Sequence, residues 1–170
     1  MKKILVVVLT LMFASAAFAF DEDDSIVRWR NIVGVITAIN VDNPVGNIHA
    51  GTFPWSVRSG RASVDLANGA ASFEVEGLTI VGTAFSGTPG PITAVTGTLV
   101  CNAGTNSQVP LDTASVPLNV RGDAHFSGHI HNIPATCNNP LFLVRIASPA
   151  GAAGFWIATG TERLIGDEGK

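Results

Sequence analysis

The sequence predicts an all-β domain, a single antiparallel β-sandwich or closed barrel of about eight strands. Three observations carry this. Short runs rich in branched residues alternate apolar and polar with period two. Clusters of Gly, Pro and Asn separate those runs, and 18 glycines punctuate the chain. No segment carries the i, i+3, i+4 apolar spacing of an amphipathic helix.

The elements follow in order. Residues 1–19 read as an export signal: Lys2 and Lys3, an apolar run, then small residues with Ala17 and Ala19 at the cleavage positions. Residues 20–25 read as an acidic disordered leader, and 26–164 as the β domain. Segment 32–41 (IVGVITAINV) predicts a strand bent at Gly34, and 48–57 an irregular edge. Residues 61–76 predict a hairpin. Ala62, Val64, Phe73 and Val75 face the core, Glu74 and Glu76 face water, and Asn68-Gly69 takes positive φ at the turn. Each strand having one wet face favours antiparallel pairing. Further strands are expected over 78–85, 92–101, 113–120, 122–131, 141–147 and 155–164. Pro117 marks an edge or a bulge. Residues 102–110 read as a loop and 165–170 as a flexible tail.

Composition narrows the function. Losing Lys2 and Lys3 leaves 8 basic against 13 acidic side chains, with a single lysine at the last position. No basic stripe exists for phosphates, so nucleic acid is not an expected partner. After the leader no stretch is long and apolar enough for a transmembrane anchor. Export implies a periplasmic or extracellular site, where disulfides persist. Cys101 and Cys137, the two cysteines, are expected to pair. The absence of tyrosine argues against an immunoglobulin-type tyrosine corner.

One constellation bears chemistry. In DAHFSGHIH (123–131), a regular strand puts Asp123, His125, Ser127, His129 and His131 on one face. His129 and His131 are two apart and can aim both imidazoles at one Zn or Cu ion. His125 lies about 13 Å from His129 along an extended strand. His49, or a carboxylate, is the alternative third ligand. The same face would change charge as its histidines protonate. No G-x-S-x-G elbow and no H-E-x-x-H helix accompanies these residues, so no catalytic residue is assigned. The stretch Gly128-His129-Ile130-His131 among Gly-rich strands resembles CHRD-type β domains of secreted bacterial proteins. The likeness spans those four residues, and it implies no function.

The three tryptophans, Trp29, Trp55 and Trp156, are the candidate ligand-binding aromatics. Trp29 stands between Arg28 and Arg30, a small cationic and aromatic patch. Three functions are therefore in play. The first is a non-enzymatic exported domain that needs no cofactor. It would bind a protein or carbohydrate partner at the cell surface, or assemble in the envelope. The second is a Zn or Cu protein built on the HxH pair, and the third a carbohydrate module using exposed tryptophans.

Overall fold

The computed structural model describes residues 25–148 and 151–165. The expected export signal, the acidic leader up to residue 24 and the tail beyond Ile165 lie outside the described residues. Eleven strands run in order: β1 (Ile26–Gly34), β2 (Trp55–Ser56), β3 (Ser59–Asp65), β4 (Ala70–Glu76), β5 (Thr79–Ile80), β6 (Ala94–Cys101), β7 (Val109–Asp112), β8 (Val116–Pro117), β9 (Ala124–His129), β10 (Leu141–Ala147) and β11 (Ala153–Ile165). The main sheet has the order β7-β6-β10-β11-β1-β3-β4-β9, with β8 also paired to β6. Strands β2 and β5 form a separate two-stranded ladder. Every pairing between these strands is antiparallel, and the isolated bridge Ala50↔Trp156 is parallel.

The all-β antiparallel architecture holds. Its form lies between the two that were expected: eight core strands curl into an open half-barrel. The connectivity requires the curl. Residues 118–123 alone join β8, at one end of the sheet, to β9 at the other. Laid flat, seven strand spacings would separate those ends by about 34 Å. The connecting chain reaches at most about 25 Å.

The inner face of the curl is the core. Trp29, Phe142, Phe73 and Phe126 run across it, with ring centroids 5.5, 5.7 and 5.8 Å apart. Each such pair adds about 0.5–1.5 kcal/mol beyond simple burial. The alternation read at 61–76 is observed. Ala62, Val64, Phe73 and Val75 are buried, and β3 pairs β4 from Ser59↔Glu76 to Val64↔Ala71.

Several local expectations are corrected. The strand expected at 32–41 is instead β1, ending at Gly34. Val35 still donates to Ile157 O, but β11 then pairs with residues 49–51 through Gly51 N to Trp156 O and Trp156 N to His49 O. Residues 36–41 are left without an edge to join, and Ile36 is 90% exposed. The strand expected at 78–85 shortens to β5, because Gly82 turns away at φ +71°. At the hairpin turn only Gly69 takes positive φ (+80°). The loop is longer than two residues, closed by Gly69 N to Asp65 O. Part of the loop expected at 102–110 pairs instead, as β7.

Cys101 and Cys137 form the expected disulfide, with Cα atoms 4.7 Å apart. It ties the buried end of β6 to the loop between β9 and β10. Asn102 N to Asn138 O and Asn139 Nδ2 to Ala103 O reinforce the same junction.

Candidate functional site

The outer face of β1, β3, β4 and β9 carries a groove whose central depression also touches Trp29, Ala62 and Phe73. Two cross-strand rows build it. Arg28 stands opposite Ser63, Ser63 opposite Ser72, and Ser72 opposite Ser127. Beside that row, Arg61 faces Glu74, and Glu74 faces His125. Serine is short, so Ser63 and Ser72 form a floor. The long side chains Arg28 and Arg30 of β1 wall one side, and His125 of β9 stands across from them.

The central depression encloses about 400 Å³. It continues along the β3–β4 hairpin in both directions. One extension, of about 240 Å³, shares Ser63 and Ser72 and runs to Asp65 and Gly128. The other, of about 180 Å³, shares Arg30, Arg61 and Glu74 and runs to Asn31 and Ser59. From Asp65 to Ser59 the hairpin is about 20 Å long. The groove is therefore elongated.

Its charge runs against that of the chain. Arg28, Arg30 and Arg61 meet one carboxylate, Glu74, in the central depression, while the chain as a whole is net −3. Arg61 Nη2 donates to Glu74 Oε2 at 2.8 Å, an exposed pair of small energetic weight. At the far end the Ala67 N–H and then the Ser25 hydroxyl hold the Asp65 carboxyl below its ordinary range. Arginine forks match carboxylate or sulfate groups in bidentate fashion, and serine hydroxyls can donate or accept.

The histidines are dispersed. His125 and His129 are exposed on β9, and His131 follows it, also exposed. His49 borders β11, four strand positions from β9 in the sheet order. Its Nδ1 meets Asp42 Oδ2 at 2.5 Å. That contact and the Ala50 N–H depress the Asp42 pKa. Among the described residues no three His, Cys, Asp or Glu side chains converge on a point that could hold a metal ion. Among the described residues, neither His49 nor a carboxylate joins His129 and His131.

The tryptophans lie in the core, at 1%, 4% and 5% exposure for Trp29, Trp55 and Trp156. Indole faces open to a sugar, the arrangement expected of a tryptophan platform, are not formed. The physical reason is the half-barrel's need for large apolar side chains: Trp29 packs on Phe142, and Trp156 Nε1 donates to Asn43 O at 2.9 Å. Its chain neighbour Phe155, 49% exposed, faces outward.

The groove was only partly visible in the sequence. Arg28 and Arg30 stand out there, while Trp29 between them turns into the core. The meeting of these arginines with the serines across three strands depends on register, which no single segment encodes. No helix among the described residues is long and apolar enough to cross a membrane. Compared with known proteins, the chain matches no family model, no curated protein and no solved structure.

Proposed function

We propose that this chain is an exported, non-enzymatic β domain that acts by binding, and that its ligand is an acidic polysaccharide of the cell surface. The observation that supports this reading is the elongated groove with a serine floor, three arginines around Glu74 at its centre and Asp65 at its far end. Its length suits a polymer. Its guanidinium groups suit carboxylate or sulfate substituents, and its hydroxyls suit sugar hydroxyls. Neutral sugars would find no aromatic platform here, because the indoles are buried. The Lys2-Lys3 leader with its apolar run and Ala17/Ala19 supports export.

The test is calorimetric titration of the protein with polygalacturonate, dextran and polyglutamate. Binding of polygalacturonate, weakened at least tenfold in Arg30→Ala/Arg61→Ala and lost in 0.5 M salt, is expected, since exposed charge pairs are screened. Equal binding of dextran, or an unaffected double variant, would overturn the reading. Equal binding of polyglutamate would redirect it to an acidic protein partner.

A further inference from the structure

A second cavity, of about 220 Å³, lies away from the groove, between residues 51–55, the segment after β5, and the β10–β11 ends. Its walls include Gly51, Phe53, Trp55, Phe85, Ile92 and Phe155. Phe85 and Phe155 are 48% and 49% exposed and stand at its mouth, while Trp55 is 4% exposed and forms its base. Nearly all of this lining is hydrocarbon; Thr52, at the rim, is the other polar side chain.

The base carries an unused donor. Trp156 satisfies its indole N–H on Asn43 O. Trp55 Nε1 makes no such bond among the described residues. A buried indole N–H ordinarily finds an acceptor. The fully buried side-chain polar atom without a partner is Thr96 Oγ1, so Trp55 Nε1 keeps access to open space. It lies at the cavity wall, 3.5 Å from where a Cβ on Gly51 would stand. Glycine at position 51 keeps that approach open.

We propose that this cavity is a binding site for a small aromatic molecule bearing one hydrogen-bond acceptor, with the ring among Phe53, Phe85 and Phe155 and the acceptor on Trp55 Nε1. The volume fits that class, since an apolar cavity of about 150 Å³ takes a benzene ring. One donor in an apolar wall orients the ligand, as in ordinary small-molecule sites.

The probes are acetophenone and ethylbenzene, which share the ring and a two-carbon arm and differ by the carbonyl oxygen. Binding is followed by ligand-observed NMR and calorimetry on the wild type, Phe155→Ala and Trp55→Phe. Acetophenone should bind saturably, and roughly 3- to 10-fold tighter than ethylbenzene, the range for one neutral hydrogen bond. Phe155→Ala, at an exposed position, should weaken both probes, and Trp55→Phe should equalise them. If Trp55→Phe does not fold, the ratio on the wild type and the Phe155→Ala loss still decide. The assignment is overturned if neither probe saturates, if both bind alike to the wild type, or if Phe155→Ala binds unchanged. It is also overturned if sedimentation gives a dimer that Phe155→Ala dissociates, because the mouth would then be a self-interface.

Discussion

Gly97 of β6 lies directly against the Phe142 ring, with no room between them for a side chain. A Cβ at Gly97 would stand 2.7 Å from Phe142 Cζ and 2.8 Å from Phe73 Cδ1. Both rings are essentially buried, at 0% and 2% exposure. Gly97→Ala should therefore destabilise the fold by about 1–3 kcal/mol, the usual cost of overpacking. Urea denaturation measures this. Adding Phe142→Leu should recover part of the loss, and strictly additive effects would show that the two sites do not compete for space.

Cys101 is fully buried at the end of β6, and Cys137 belongs to the only covalent tie between that strand and the β9–β10 loop. Closing a loop of this size restricts the unfolded chain by about 4 kcal/mol in the chain-entropy model. The Cys101→Ala/Cys137→Ala variant should lose about 2–5 kcal/mol in denaturant. The wild type in reductant should fall by a similar amount. Unchanged stability in both would mean that the loop stays ordered without the bridge.

How much of this was legible beforehand differs by scale. Two kinds of strand are legible: 61–76 alternates with period two, and 141–147 is an apolar run bounded by turn residues. Segment 32–41 misled because branched residues mark a strand only where a partner edge exists, and residues 49–51 hold that edge. The disulfide followed from there being two cysteines. The groove did not follow, because Arg28, Ser63, Ser72 and Ser127 come from four strands and meet only through register. The histidine pattern is dense on one strand, yet its side chains are exposed and, among the described residues, no third ligand reaches them. Trp55 and Trp156 could not be placed from their neighbours alone, since neither Pro54-Trp55-Ser56 nor Phe155-Trp156-Ile157 alternates polar with apolar.

Two threonines of β6 should respond oppositely to the same change. Thr96 and Thr98 are both 0% exposed. Thr98 Oγ1 donates to Asp112 Oδ1 at 2.6 Å, whereas Thr96 Oγ1 has no partner. Removing an unsatisfied buried hydroxyl relieves a cost of about 1–3 kcal/mol, and removing one bonded to a carboxylate loses about 1.5–3 kcal/mol. Thr96→Val should raise the denaturation midpoint and Thr98→Val should lower it. Movement in the same direction would show that packing, not hydrogen bonding, governs this strand.

Asp123 should make part of the stability depend on acid pH. Its Oδ1 accepts the Gly77 N–H at 3.1 Å, and its Oδ2 accepts Asn119 Nδ2 and Arg121 Nε, both at 3.1 Å. It thereby joins the end of β4 to the turn that enters β9. The Asn119 donor first, then the Gly77 N–H and Arg121, hold its carboxyl below the ordinary 3.8. A carboxyl lowered on folding contributes stability that is present above the unfolded pKa and is lost as pH falls through the folded one. Asp123→Asn removes this contribution. The variant should melt below the wild type at pH 7, and the gap should hold down to about pH 4. Below that it should close, as the wild-type carboxyl takes up its proton. Asp42 and Asp65 are lowered in the same direction, so both proteins lose stability in acid, and the difference between their melting temperatures isolates Asp123. A gap that stays constant from pH 7 to pH 2 would show that the charge on Asp123 contributes nothing and that only the shape of the turn matters.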